Sequence, residues 1–170
     1  MTNAIICDLD GCLFDTAWIF DDAEKLGFTG EQKWAYFHQN VNNEKSRTCE
    51  KLKNILLNVV SKDTVIVFMT ARSEEIQYET ETRLAQELPE LTNNSLLLMR
   101  PYGNYLPSEV VKEMLLRKVL EDYHFNVVLA IDDDDMNLSM FAHNGIPTLK
   151  LSFMNTNIFF SFSFTRNCPF

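Results

Sequence analysis

Four continuous apolar runs limit the folds open to this chain more than any other feature of its sequence. They are Ala4–Leu9, Thr64–Met69, Ser95–Met99 and Asn126–Ile131, with a weaker fifth at Thr148–Leu151. A run that is apolar at nearly every position suits a strand covered on both faces, because a strand with one wet face would alternate. Since longer stretches separate the runs, the sequence predicts an α/β fold, a three-layer sandwich around a central parallel sheet.

The stretches between the runs have the spacing of amphipathic helices. One buried face is marked by Leu52, Ile55, Leu56, Val59 and Val60. Ser73 is predicted to cap a helix that ends near Leu88, and Met136–Asn144 is predicted to form a short helix. Ser108 is predicted to cap another helix, whose inward positions are Val111, Leu115, Val119 and Tyr123.

One segment is too long for a single crossover helix. It lies between Thr16 and Asp63, and within it "TGEQ" at Thr29–Gln32 is typical of a capping box that opens a helix through about Val41. We therefore predict a small helical insert at residues 17–43, just after the first strand. The rest of the 170 residues suits one domain with a sizeable core.

The composition narrows the class of partner. The chain is 46% hydrophobic and 23% charged, as in globular proteins, and its net charge of −9 opposes tight binding along a phosphate backbone. We therefore expect no extended nucleic-acid binding.

No run approaches the roughly 18 apolar residues of a membrane span, and no secretory signal precedes the first strand, so we expect no membrane partner. The four cysteines lack zinc spacing and are expected to be reduced, in the cytoplasm.

The tail "NTNIFFSFSFTRNCPF" alternates Phe with Ser over part of its length. This pattern favours an edge strand or a packed terminal segment, and a contact with a partner is the alternative.

Two of the predicted strands end in acidic residues. Asp8 and Asp10 follow the first strand at i and i+2, so both can point to one side, and Gly11 allows a sharp turn. At the end of the fourth run stand Asp132 and Asp133. Because ligands of an α/β sheet bind beyond the carboxyl ends of its strands, these carboxylates are expected to meet.

Carboxylates that meet in this way repel one another unless a cation lies between them. Mg²⁺ prefers oxygen ligands, so the sequence favours a magnesium site over an Asp-rich turn. Asp134 or Asp135 is expected only to cap the following helix.

Two further stretches carry groups suited to phosphate. In "FMTARSEE", Thr70 offers a hydroxyl, Arg72 a planar cationic fork, and the next helix its first amides. In "PSEVVKEM", Lys112 lies early on a helix. It is a surface charge unless that helix passes beside the carboxylates.

Taken in order, "DLDGCL", Thr70, Lys112 and "DD" at Asp132–Asp133 resemble the four motifs of haloacid dehalogenase (HAD) superfamily phosphatases, over about residues 4–151. Within that superfamily, "MTAR", "VVKE" and "LAIDD" are most similar to the 3′-phosphatase domain of phage-type polynucleotide kinase. No kinase P-loop GxxxxGK[ST] occurs in the sequence, so we expect no kinase half in these residues.

The resemblance implies a HAD-like Rossmannoid fold and an aspartyl-phosphate mechanism. Asp8 would be the nucleophile, and Asp10 would protonate the leaving oxygen and then activate water. Thr70 and Lys112 would bind phosphoryl oxygens, and Lys112 would also keep Asp8 ionised.

For the metal, the resemblance implies Mg²⁺ held by the Asp8 carboxylate, the Asp10 backbone carbonyl and Asp133, with Asp132 beside it. A common form of the fourth motif has a second acid four residues after the first, whereas Asn137 follows Asp133. Which of the two adjacent aspartates ligates the metal directly therefore stays open.

The substrate is expected to be a small phosphorylated molecule, a nucleotide or a nucleic-acid end, with Arg72 and Arg100 as contacts beyond the scissile phosphate. A sugar phosphate or other metabolite phosphate is the alternative. A Mg²⁺-dependent phospho-acceptor without turnover is the alternative of another class. No Cys-x5-Arg, GxSxG or GxGxxG motif supports other chemistry. An oligomer in which another subunit covers the site stays open.

Overall fold

The computed structural model describes the backbone of residues 1–154 and 157–163 and the side chains of residues 1–151. Its strands are β1 (Asn3–Cys7), β2 (Thr64–Ser73), β3 (Ser95–Arg100), β4 (Asn126–Asp132), β5 (Thr148–Met154) and β6 (Asn157–Ser163). They form one sheet in the order β3-β2-β1-β4-β5-β6, in which β1 to β5 are parallel and β6 is antiparallel to β5. The predicted α/β fold with a central parallel sheet is confirmed.

Helices cover both faces of the sheet. They are α1 (Ala17–Lys25), α2 (Gly30–Asn40), α3 (Glu50–Val59), α4 (Gln77–Glu87), α5 (Ser108–Glu121) and α6 (Asp135–His143). Side chains of β1 alternate between two buried clusters: Ile5 and Cys7 join the one that contains residues of α3 and α4, while Ala4 and Ile6 join the one that contains residues of α5 and α6. The continuous apolar run of β1 therefore reflects burial on both faces.

Two helices, α1 and α2, occupy the segment that we predicted as a helical insert. They pack on each other through a small cluster of Ile19, Phe37 and Val41, and the rings of Phe20 and Phe37 stack with centroids 5.0 Å apart. Thr29 occupies the N-cap position of α2, as the capping box predicted, but its side chain makes no capping hydrogen bond.

Two predictions about α5 were wrong. Ser108 is the first residue of the helix and not its cap, because the carbonyl of Pro107 accepts the first helical hydrogen bond, from the N–H of Val111. Tyr123 does not face inward: α5 ends at Glu121, and Tyr123 is 43% exposed. The other predicted inward positions, Val111, Leu115 and Val119, are buried.

At the edge of the sheet, the backbone of Asn157–Ser163 forms β6, the edge strand predicted for part of the tail. The rest of the tail, with Cys168, lies outside the described residues. In the part of the chain that the structure describes, no helix is both long and apolar enough to cross a bilayer.

The order of the strands creates one crevice. From β1 the chain builds β2 and β3 on one side, then crosses to place β4 on the other side of β1. The carboxyl end of β1 therefore lies at the point where the strand order reverses, which is where open α/β sheets bind ligands.

Candidate active site

The loop after β1 holds Asp8 at this crevice. The backbone N–H of Asp8 donates to the carbonyl of Ile131 at 2.9 Å, which ties the end of β1 to β4. Two further backbone bonds close a tight loop, from Phe14 to the carbonyl of Leu9 and from Gly11 to the carbonyl of Phe14. Asp8 is therefore buried and fixed in position at the end of a strand.

Lys112 joins the two acidic strand ends. Its Nζ donates to Asp8 Oδ1 at 2.6 Å and to Asp132 Oδ2 at 2.6 Å, and all three side chains are buried. Burial by itself lowers the pKa of Lys112, but Asp8 and Asp132 outweigh burial and raise that pKa above its ordinary value. Helix α5 thus passes directly beside the carboxylates, so Lys112 is not a surface charge.

Asp132 is held on both of its oxygens. Oδ2 accepts from Lys112, while Oδ1 accepts from the backbone N–H of Asp134 at 3.1 Å and from Asn137 Nδ2 at 3.0 Å. Asp134 in turn caps α6, because its side chain accepts from the N–H groups of Met136 and Asn137. The cap predicted for this turn is therefore made by Asp134, while Asp135 is the first helical residue.

Two carboxyl groups of the site, Asp8 and Asp133, have raised pKa values. Burial raises the pKa of Asp8 well above its ordinary value, although the charge of Lys112 opposes that shift. Burial first, and then the charge of Asp132, raise the pKa of Asp133 to about 7. Its carboxylate lies against Gly11, where an added Cβ would collide with it, and Gly11 has a φ of +77°. Glycine is therefore needed after Asp10 both for the turn and for the close approach of Asp133.

These groups fit a divalent cation. Asp8, Asp132 and Asp133 each offer one carboxylate oxygen, and the three oxygens lie within 4.8 Å of one another. With all three carboxylates ionised, as a bound metal requires, the single charge of Lys112 leaves two negative charges for a cation to balance. An all-oxygen set suits Mg²⁺. The Asp10 carboxylate is not part of this group, and only its backbone carbonyl was expected to reach a metal.

The Asp10 carboxylate pairs with Arg72. Arg72 Nε donates to Asp10 Oδ2 at 2.9 Å, and Nη2 donates to Oδ1 at 2.8 Å. Its Nη1 donates to Asn42 Oδ1 at 2.9 Å and to Thr80 Oγ1 at 3.4 Å. Arg72 was expected to bind phosphoryl oxygens. Instead its described hydrogen bonds all go to protein side chains, because the fork matches the two oxygens of Asp10.

Thr70 and Arg100 lie near the same edge of the sheet. The Thr70 hydroxyl is buried and accepts from the backbone N–H of Arg72 at 3.1 Å. Among the described residues none accepts its hydrogen, so the hydroxyl can donate to a ligand. Arg100 was expected to contact a phosphate. It donates to the backbone carbonyls of Ala71, Asn104 and Leu106 and so holds the backbone of a loop.

Three residues of this network were missed from the sequence: Asn42, Thr80 and Asn137. Asn137 had a detectable signal, since a polar residue five positions after Asp132, early in the following helix, can reach back to the strand end. Asn42 and Thr80 had none, because each meets Arg72 only through the tertiary fold.

The cysteines near the site do not supply a nucleophile. Burial raises the pKa of Cys7 and of Cys12 well above the ordinary value for a thiol, and neighbouring negative charges add to the effect. Both thiols therefore stay protonated at neutral pH, and the oxygen nucleophiles of the crevice remain.

Comparison with known proteins gives one family match. The family model described as the polynucleotide kinase PNKP phosphatase domain matches residues 2–155 of this chain. No curated protein matches the chain in sequence.

Solved structures of similar fold include two of a Pnkp1/Rnl/Hen1 complex, the second of which is described as an RNA repair complex. The matched chains are 19% and 18% identical, with TM-scores of 0.65 and 0.67 over 89% and 91% of this chain. The matches cover 46% and 44% of those chains, so this chain spans less than half of their length.

A third structure covers most of both proteins. It is the haloacid dehalogenase-like hydrolase SP0104 from Streptococcus pneumoniae, which is 13% identical, with a TM-score of 0.61 over 89% of this chain and 85% of that one. At these identities the three structures establish the shared fold.

Proposed function

This chain belongs to the family of polynucleotide kinase PNKP phosphatase domains, within the HAD hydrolases. We propose that it is a Mg²⁺-dependent phosphomonoesterase that acts through an aspartyl phosphate. Its preferred substrate is a terminal phosphate on a nucleotide or a nucleic-acid end.

One observation carries the proposal: Lys112 binds Asp8 and Asp132 at once, at the point where the strand order reverses. A lysine and two carboxylates buried together, with a third carboxylate partly buried beside them, would be costly in a purely structural role, since each buried charge loses its hydration. A phosphoryl group and a cation that bind there would interact with these charges and offset the cost of burying them.

In the first half-reaction, a carboxylate oxygen of Asp8 attacks phosphorus, and the bond from phosphorus to the leaving oxygen breaks. Asp10 gives its proton to that oxygen, so the product leaves as an alcohol. Burial favours the protonated form of Asp8, and Lys112 opposes this by stabilising the carboxylate. Lys112 and the Thr70 hydroxyl would donate to phosphoryl oxygens. The bidentate bond from Arg72 would hold Asp10 in the orientation that this proton transfer needs.

In the second half-reaction, Asp10 takes a proton from water as the water oxygen attacks phosphorus. The bond from phosphorus to the Asp8 oxygen breaks, which regenerates the Asp8 carboxylate and releases inorganic phosphate. One residue can thus serve as acid and then as base, because the first step leaves it deprotonated.

Asp8, Asp133 and the Asp10 backbone carbonyl would hold Mg²⁺, with Asp132 beside it. When bound, the ion would neutralise the charge of the reacting anions and polarise the phosphoryl group. Because both oxygens of Asp132 already accept hydrogen bonds, we assign the direct ligand of this pair to Asp133.

The nucleic-acid end is supported by the family match and by one structural neighbour, which comes from a Pnkp1/Rnl/Hen1 RNA repair complex. The net charge of −9 favours contact with few phosphates.

We also propose a single domain in which α1 and α2 form the insert. The free buried thiols Cys7, Cys12 and Cys49 support a reducing, cytoplasmic setting.

The test is a comparison of kcat/KM for a 3′-phosphorylated oligonucleotide, a mononucleotide and a hexose phosphate, with Mg²⁺ and with excess chelator. We expect the oligonucleotide or mononucleotide to be preferred, no activity in chelator, and recovery with Mg²⁺. Ca²⁺ should support activity poorly, because it prefers more ligands at longer distances.

Each alternative predicts a different result. A hexose phosphate preferred by orders of magnitude would make the protein a metabolite phosphatase. Labelling of the protein without release of phosphate would make it a phospho-acceptor. Full activity in excess chelator would overturn the metal assignment.

A further inference from the structure

The loop between β3 and α5, residues 101–107, exposes aromatic side chains that the catalytic proposal does not use. Tyr102 is 74% exposed, Tyr105 94% and Leu106 48%. Residues 102–106 line a shallow, largely open surface depression of about 490 Å³, and none of the carboxylate residues lines it. Both tyrosine rings are exposed to water, although such rings stabilise a protein most when they are covered. We call this segment the tyrosine loop.

The tyrosine loop is held in shape from within. Arg100 Nη1 donates to the carbonyls of Asn104 at 3.2 Å and Leu106 at 2.6 Å, and the Leu106 N–H donates to Asn104 Oδ1 at 2.9 Å. The N–H of Tyr102 donates to the Glu74 carboxylate at 3.2 Å, across to the segment that follows β2. The rings therefore stand on a backbone that is already ordered, which lowers the entropy cost of binding a ligand.

The tyrosine loop lies beside the carboxylate site at both of its ends. At its start, Arg100 Nε donates at 2.8 Å to the carbonyl of Ala71, the residue between Thr70 and Arg72. At its end the chain enters α5, where Lys112 is four residues after Ser108, about 6 Å along the helix. Helical side chains lean toward the N-terminus, so Lys112 reaches Asp8 on the side nearer the loop.

The chemistry of the loop favours stacking over attraction of phosphates. The sequence "PYGNYLP" at 101–107 carries no charge. Arg100, at the base of the loop, donates its described hydrogen bonds to backbone carbonyls, and Glu74 adds a negative charge beside Tyr102. Base stacking on aromatic rings needs no cation and tolerates any base sequence.

We propose that Tyr102 and Tyr105 form a stacking platform for the last bases of a single-stranded nucleic-acid end whose terminal phosphate enters the carboxylate site. This inference rests on the proposed function and adds to it the part of the substrate that is recognised. We therefore expect the protein to contact only the last one or two nucleotides of the strand.

The test measures kcat/KM on a 3′-phosphorylated oligonucleotide and on the same oligonucleotide with its last two positions abasic. For the wild type we expect the missing bases to lower kcat/KM at least about fivefold, the effect of losing one stacked base. In Tyr102→Ala and Tyr105→Ala this penalty should shrink toward one. In Tyr105→Phe it should persist, because the ring remains.

The matched control is Tyr123→Ala, since Tyr123 is also exposed but lies at the opposite end of α5, stacked on Phe125. It should keep the full penalty. A wild type that hydrolyses the abasic substrate equally well would overturn the platform, and so would equal penalties in the Tyr105→Ala and wild-type proteins.

A second measurement separates this inference from the proposed function. If the protein hydrolyses no phosphomonoester at all, the proposed function fails, and calorimetric titration with the oligonucleotide then decides the platform alone. Binding that weakens at least about fivefold in Tyr105→Ala supports the platform. Binding that is absent, or equal in variant and wild type, overturns it.

Discussion

Arg72 donates hydrogen bonds to both carboxylate oxygens of Asp10, with Nε 2.9 Å from Oδ2 and Nη2 2.8 Å from Oδ1. The guanidinium is fully buried, while the Asp10 side chain remains 22% exposed. A bidentate pair fixes the plane of a carboxylate as well as its position. The carboxylate that faces the crevice is therefore oriented by an arginine behind it, which Asn42 and Thr80 hold in turn.

We predict that Arg72→Lys lowers kcat by about 100-fold, the scale of a misplacement of about 1 Å, while KM for a small phosphate ester changes little. Lysine keeps the positive charge but cannot hold both oxygens of Asp10. Steady-state kinetics measure the split, and thermal melting checks that the variant is folded. A raised KM with an unchanged kcat would return Arg72 to the phosphate-binding role expected from the sequence.

For Lys112→Ala we predict a loss of kcat/KM of about 100-fold or more, as when a preorganised donor is removed from a site. Lys118→Ala, on the exposed side of the same helix, should change kcat/KM less than twofold. The first variant should also be less stable by about 3–5 kcal/mol without Mg²⁺, because Asp8 and Asp132 lose their shared partner. Equal small effects of both substitutions on activity would contradict the assignment.

For Gly11→Ala we predict weaker Mg²⁺ binding and a clear loss of activity, since the added Cβ would push the Asp133 carboxylate away. Gly27→Ala is the matched control: Gly27 has a similar φ of +74°, but nothing lies within 4 Å of its added Cβ. The control should lose roughly 1 kcal/mol of stability from backbone strain and keep its activity. Calorimetric Mg²⁺ titration of both variants is the measurement, and unchanged affinity in Gly11→Ala would contradict the prediction.

The pKa of about 7 for Asp133 predicts that Mg²⁺ binding depends on pH. The metal needs the ionised carboxylate, so affinity should rise through neutral pH and be about tenfold weaker at pH 6 than at pH 8. Isothermal titration at the two pH values measures this. Asp133→Asn should bind weakly at both, and a wild-type affinity independent of pH would contradict the assignment.

The same shift affects the stability of the metal-free protein. Between about pH 4 and pH 7 folded Asp133 holds a proton that the unfolded chain has released, so the Asp133 contribution to stability is lost as pH rises through 7. Added Mg²⁺ should therefore raise the melting temperature more at pH 8 than at pH 6.

The sequence predicted the sheet well because burial on both faces leaves a local signal. Each apolar run became a strand, and the acids at the ends of β1 and β4 came together because parallel strands end at one edge. The positions of Asp8 and Asp132 could therefore be inferred from the sequence.

Pairings that depend on tertiary distance could not be predicted. Lys112 stood on a predicted helix, but its role depended on where α5 crosses the sheet. Arg72 and Asp10 are 62 positions apart, and only the fold shows that the arginine meets the carboxylate. Tyr123 was misplaced for a local reason, because the apolar spacing continued past the residue where α5 ends.

If Asp8 is the nucleophile, labelled phosphate is transferred from the substrate to the protein during each turnover. A substrate with a radiolabelled terminal phosphate is mixed with the protein and Mg²⁺, and the reaction is quenched with acid within the first turnover. We predict acid-stable, hydroxylamine-sensitive label on the wild type, and more of it on Asp10→Asn if the second half-reaction is slowed more than the first. We predict no label and no turnover with Asp8→Asn or in excess chelator. Near-normal turnover by Asp8→Asn would contradict the account.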